Sequence, residues 1–380
     1  MAGAERLGQV PAEKLNNWIW QLEVCNACRY CEGYCAVFPA LERRRTFTLA
    51  DIDYLANLCF DCRACYYACM FAPPHEFGVN IPQMLSEVRR ETYARYALPA
   101  VFTRLLASNW LAVGGLIVLS ALFFLAVVAA TGDVGRLFAT QVGPGAFYRI
   151  IPYALMSGPA LVISLVGLAL LVGGGVRFWW RTRGSVADYV SPGALLKAAT
   201  DALGLRYLTG GGAGGCTYPG ERPSFARFVF HHLVFWGFIS ALVATTAAFI
   251  QQDFLGWYPP YPLLSVPVIT GSLGGIAMIV GCAGLLYLKR RSDPAPADTP
   301  LLRMDYLFLW LLLLINVTGM ALLLLRETPA MGSLLVIHLA TVFGLYFVLP
   351  YSKFAHFVYR YAALIQNRLE ERRESARAGH

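Results

Sequence analysis

Residues 25–35 read CNACRYCEGYC, and residues 59–69 read CFDCRACYYAC. Both follow the spacing Cys-x2-Cys-x2-Cys-x3-Cys, the ligand run of bacterial ferredoxins. Three thiolates two residues apart wrap a short loop around three irons of a cubane, and the fourth comes from a distant segment. In two-cluster ferredoxins the last cysteine of each run serves the other cluster. Cys25, Cys28, Cys31 and Cys69 are therefore assigned to one [4Fe–4S] cluster, and Cys59, Cys62, Cys65 and Cys35 to a second. Proline normally follows the last cysteine directly, whereas Pro39 and Pro73 come four residues later. An all-cysteine zinc site usually uses two separated pairs rather than four cysteines within eleven residues.

The rest of the chain differs sharply from this stretch. Of 380 residues, 57% are hydrophobic and only 14% charged, against about 25% charged in a soluble protein. Mean hydropathy is +0.52, so a membrane part carries a small soluble head. The net charge of +8 is not a nucleic-acid signature. Residues 1–100 hold 10 basic and 11 acidic side chains, and the excess lies in the membrane part, which rules out a basic nucleic-acid-binding head.

Residues 1–24 carry Glu5, Arg6, Glu13, Lys14 and Glu23 and lack the apolar core of a signal peptide. The head is expected in the cytoplasm, where clustered thiols bind metal more often than they form disulfides.

Six uncharged stretches are long enough to cross about 30 Å of hydrocarbon: residues 105–130, 150–176, 228–252, 263–288, 306–325 and 328–352. Loops on one side hold 18 Lys/Arg, and those opposite hold only Arg136, Arg149 and Arg326. The positive-inside rule then puts both termini in the cytoplasm of a multi-pass inner-membrane protein. The expected fold is an all-α membrane protein, a six-helix transmembrane bundle with an N-terminal ferredoxin-type two-[4Fe–4S] helical head. The divisions are 1–98 (iron–sulfur head), 99–176 (spans one and two), 177–227 (cytoplasmic loop), 228–362 (four b-haem spans) and 363–380 (charged cytoplasmic tail). The loop contains the run from Gly210 to Gly215, then Cys216 and Tyr218-Pro219. It reads either as a tight structural loop or as an edge near the clusters, and it lacks the Gly-Lys-Ser/Thr ending of a phosphate loop. Cys216 and Cys282 read as unligated thiols.

Histidine within a membrane span is costly and by default functional. His231 and His232 lie just inside the third span, and their side chains point about 100° apart, so only one can be axial. His338 and His356 are 18 residues apart. If one helix runs through Pro350, they share a stripe about 27 Å long. Depth pairs His232 with His356 as ligands of one b-type haem near the clusters. His338 has no histidine at its depth. It reads as an imidazole satisfied by a hydroxyl or carbonyl, as a quinone hydrogen-bond partner, or as a haem ligand with Met320. A second haem is not expected. His75 reads as a loop residue beside Cys69.

Two resemblances follow from these residues. The last three spans resemble the cytochrome b (gamma) subunit of respiratory nitrate reductase. The match includes Phe230-His231-His232 with Gly237, Leu285-Leu286-Tyr287-Leu288-Lys289-Arg290-Arg291, and His338-Leu339. It continues with Leu349-Pro350-Tyr351-Ser352-Lys353 leading to His356. That resemblance implies His232 as the partner of His356, and it puts Leu242 where the family's second early ligand would stand. The whole chain looks like the TcuB/CitB family of tricarballylate or citrate utilisation. The resembling residues are Cys28 to Pro39, Leu55-Ala56-Asn57-Leu58-Cys59, Ala72 to Phe77, the glycine-rich loop with Cys216 and Tyr218-Pro219, and the His231-His232 pair. This implies an oxidoreductase subunit that reoxidises the flavin of a partner dehydrogenase and passes electrons to the quinone pool.

The residues themselves supply wiring: there is no nucleophile–base pair, dinucleotide fingerprint or phosphate loop, so the FAD belongs to another chain. Reverse flow, from quinol to a soluble reductase, is the alternative. The third reading is a carrier or an anchor whose clusters only stabilise the head; a carrier would show inverted repeats, broken helices or acids within the spans, and none is read from the sequence.

Overall fold

The computed structural model describes residues 10–182, 191–210 and 214–378. Among these residues there is no strand, only an isolated bridge between Cys216 and Ser224. The head consists of α1 (Ala12–Cys28), α2 (Val37–Glu42), α3 (Leu49–Leu58), α4 (Ala64–Tyr67) and α5 (Ile81–Tyr96). Local chemistry sets its boundaries. Thr48 and Asp51 form a reciprocal capping box at the start of α3, satisfying two orphan donors. Asn80 caps α5 through Gln83. The short α6 (Val101–Leu106) leads into the membrane part.

Six helices are long and apolar enough to cross a membrane: α7 (Trp110–Thr131), α8 (Tyr153–Arg181), α10 (Ala226–Asp253), α11 (Val266–Arg290), α12 (Thr299–Leu324), and α13 (Met331–Val348) with its short extension to Tyr351. The chain is a multi-pass membrane protein. Helices α10 and α11 cross most closely: a Cβ on Gly237 would stand 2.9 Å from the Gly274 carbonyl oxygen. Without a hydrophobic drive between helices in lipid, such small residues permit the backbone approach that holds spans together. Gly237 therefore serves helix packing.

Three sequence expectations are corrected. Helix α13 does not continue through Pro350. Helix α13 ends at Val348, and two short 3-10 turns (Leu349–Tyr351 and Lys353–Ala355) precede α14 (His356–Ala378). Proline lacks the N–H that the helix would need there, and Ser352 is extended and accepts from the Phe354 N–H. The shared stripe of His338 and His356 is thereby lost.

The stretch expected as a charged tail is largely α14, packed into the head. Ala363, Leu364 and Asn367 are fully buried, and Leu369 nearly so. Arg44 bridges Glu370 at 2.7 Å, and Arg368 pairs with Asp201. The 177–227 segment likewise contains the end of α8 and a helix, α9 (Pro192–Leu203), against which α14 lies. Residues 1–9, 183–190, 211–213 (part of the glycine run) and 379–380 lie outside the described residues.

Finally, α12 begins earlier than hydropathy suggests and includes Asp305, so an acid does sit within a span helix. Its carboxylate meets Lys289 at 2.5 Å and Lys353 at 2.8 Å. The two cations supply what a carboxylate needs away from water.

Candidate redox centres

The two cysteine runs share one backbone feature. Arg29 follows Cys28 with φ of 54°, and Arg63 follows Cys62 with φ of 66°. A left-handed residue after the second cysteine turns each loop back on itself. Arginine carries no sequence signal for that conformation.

The thiols gather into two groups. Cys25, Cys28, Cys31 and Cys69 line one opening with Phe38, Phe71 and Val79, and Cys65 lines it too. Cys35, Cys59, Cys62 and Cys65 line a second opening. The fourth cysteine of each run thus lies with the first three of the other. Among the described residues no three His, Cys, Asp or Glu side chains converge on one ion. The donor set is eight thiols around two openings. Burial pushes Cys25 and Cys62 up to about 12 and Cys31 up to about 11. Neutral thiols of this kind become thiolates when a metal centre takes the place of the proton. These residues fit two iron–sulfur clusters.

The first group is the outer one, with Cys28 exposed. The second is covered by the membrane part. Gly210, with φ of +71°, comes so close that a Cβ would stand 3.2 Å from Cys62 Sγ. Thr217 donates to the Cys62 carbonyl at 3.1 Å. The Tyr218 ring lies between Arg63 and Arg227 at 4.6 and 4.8 Å. The described part of the glycine-rich segment is therefore an edge over the second group.

Below this group the structure brings together His231 and His356, with ring centroids 6.3 Å apart and planes at 76°. His232, the residue that depth and resemblance favoured, turns instead onto Phe228 at 4.4 Å. The reason is the 100° step between adjacent helix positions. His356 Nδ1 is 2.6 Å from the Lys353 carbonyl oxygen, which orients the ring and leaves Nε2 as the ligand nitrogen. Burial, with the Arg360 and Lys353 charges, holds His356 well below its ordinary range, in the neutral form that binds metal. His231 Nδ1 is buried with no hydrogen-bond partner. One iron held by both rings, at about 2 Å per bond and about 1.1 Å from nitrogen to centroid, would separate the centroids by roughly 6 Å. The spacing fits one iron that both imidazoles would hold, as in a haem centre.

His338 lies elsewhere. Its Nδ1 is 3.1 Å from Thr318 Oγ1, so a hydroxyl satisfies it. Met320 Sδ faces Gly275, and Leu242 is exposed. His75 packs between Phe71 and Phe77. Cys216 and Cys282 are buried free thiols.

Sequence reading missed the arginines between the centres. Arg227 lies one helical turn before His231 and donates to the Phe60 carbonyl at 3.1 Å and to that of Asp61. Arg360, one turn after His356, donates to the Cys59 carbonyl at 2.8 Å. The four-residue spacing from each histidine is the signal that could have found them, since residues four apart share a helix face.

The comparisons with known proteins agree with this architecture. The family model for citrate utilization protein B matches residues 104–377, and the model for its Fer4-like domain matches residues 19–95. The chain belongs to the citrate utilization protein B family. An Escherichia coli protein named citrate utilization protein B is 44% identical over 352 residues, covering 93% of this chain and 91% of that protein. The Fer4-like match spans α1 to α5, which carry both thiol groups, and the other match takes in all six span helices. No solved structure matches the chain.

Proposed function

We propose that this member of the citrate utilization protein B family is a membrane electron-transfer subunit. It would take electrons from the reduced flavin of a partner dehydrogenase acting on citrate or tricarballylate, and deliver them to quinone. The partner sits at the cytoplasmic face, where the charge asymmetry of the loops also places both termini. The observation that carries the reading is the serial arrangement. An exposed thiol group, a covered thiol group and a pair of facing imidazoles follow one another from the head into the bundle.

Two [4Fe–4S] clusters and one b-type haem, when bound, supply one-electron chemistry that side chains cannot. Everything else falls to the chain. Eight cysteines hold the clusters, and Phe38, Phe71 and Val79 keep water from one side of the first group. His231 and His356 hold the haem, with the Lys353 carbonyl fixing the His356 ring. Arg227 and Arg360 bind the second cysteine loop to the two helices that carry these histidines.

The test is the content of iron, acid-labile sulfide and haem per chain after anaerobic purification, followed by dithionite reduction and addition of menadione. About eight irons in clusters, one haem and reoxidation of the haem are expected. Colourless or zinc-loaded protein, or a haem that menadione leaves reduced, would overturn the proposal.

A further inference from the structure

The charges around the two thiol groups are unlike in kind. No charged side chain lines the first opening, and the charged residues in and beside its cysteine run, Glu23, Arg29 and Glu32, are exposed, so water and salt screen them. The second is faced by four guanidinium groups. Arg63 is 3% exposed and has Asp61 at 3.8 Å as counter-charge. Arg89, also 3% exposed, donates to the Ala56 carbonyl at 2.9 Å. Arg227 and Arg360 donate to the carbonyls of Phe60, Asp61, Asn57 and Cys59. Arg89, Arg227 and Arg360 hydrogen-bond backbone carbonyls, Arg227 and Arg360 also lie against the Tyr218 and Phe60 rings, and among the described residues none forms an ion pair. Just beyond them, Lys289, Lys353 and Asp305 add a net positive charge. The remaining acid nearby, Asp293, accepts from the Tyr67 hydroxyl at 2.9 Å.

We infer that Arg89, Arg227 and Arg360 hold the reduction potential at the second thiol group above that at the first, so that electrons run inward from the exposed end of the head. The inference rests on the electron-transfer reading above and gives it a direction. Cluster potentials depend on net charge, hydrogen bonding and solvent exposure. Burial alone would lower the potential of the second site, because an added electron is added negative charge in a poorly polarisable surrounding. The three cations occupy that same surrounding, where their attraction for the added charge is screened least. The exposed first site has no comparable set. The step is one electron lost by the outer cluster and gained by the inner one, with no bond or proton changing hands. Reduced flavin, or dithionite in its place, is the reductant.

Potentiometric titration of the full, cofactor-loaded chain, read by low-temperature EPR, resolves the two clusters. Cys28→Ser marks the signal of the first group. The second group is expected at the higher potential. Arg360→Gln should lower that signal alone, so that the equilibrium constant for passing an electron inward falls roughly tenfold, and Arg360→Lys should restore most of the loss. A higher potential at the first group overturns the inference. So does an Arg360→Gln protein with wild-type iron, haem and potentials. Should Arg360→Gln lose its cluster, Arg89→Gln gives the same reading from α5. Wild-type protein without clusters would instead overturn the electron-transfer proposal itself.

Discussion

The imidazoles of His231 and His356 face each other with centroids 6.3 Å apart, and His232 is turned away onto Phe228. Two adjacent histidines with the same chemistry are thus separated by a single helical step. His231→Ala should lose the haem Soret band and keep the cluster absorbance. His232→Ala should keep both. The visible spectrum of each purified variant decides, and haem loss in His232→Ala alone would reverse the assignment.

His338 makes a separate case. Its Nδ1 meets the Thr318 hydroxyl at 3.1 Å, and Thr318 also bonds the Leu314 carbonyl. Replacing His338 with Gln should therefore leave haem content near wild type, and pyridine haemochrome quantitation checks this.

Gly210 stands against Cys62 in a left-handed conformation. A valine there would meet the sulfur and cost roughly 1–2 kcal/mol in backbone strain alone. The variant is expected to hold about four cluster irons rather than about eight, since only the second group is disturbed. Iron analysis with EPR of the remaining cluster is the check.

Asp305 is held between Lys289 and Lys353 in a largely buried triad. Asp305→Ala leaves two buried ammonium groups unpaired, a loss of about 3–5 kcal/mol. Its half-life at elevated temperature in detergent should shorten accordingly, and Asp305→Glu should recover part of it.

Ending the chain after Tyr361 removes Ala363, Leu364, Ile365 and Leu369 from the core, along with the Arg44–Glu370 and Arg368–Asp201 pairs. The truncated protein should reach the membrane yet fail to retain clusters. Iron content of isolated membranes measures this directly.

The legible parts of the molecule were those set by local pattern. Cysteine spacing indicated two crossed groups because ligand loops are short-range objects, and uncharged runs marked the six span helices. What depended on rotation about a helix axis or on distant contact was not legible. Nothing in Phe230-His231-His232 shows which ring faces inward, since that depends on how α10 lies against α11 through Gly237 and Gly274. The break at Leu349–Ala355 carries a proline signal, and the shared stripe of His338 and His356 held only on the condition that one helix ran through Pro350. The charge of α14 hid its burial: Arg368 and Glu370 find partners on α9 and beside α3, so a polar segment reads as a free tail while its small apolar face packs inside.

Helix α14 follows all six span helices in the chain, yet it supplies part of the floor beneath the second cysteine loop. During synthesis the head must therefore wait, with its thiols unclosed, until the membrane segments have been threaded and the chain has returned to it. A released head lacking this segment would be an incomplete vessel for iron. On the electron-transfer reading, stable iron binding by the head would then depend on insertion of the spans that precede α14.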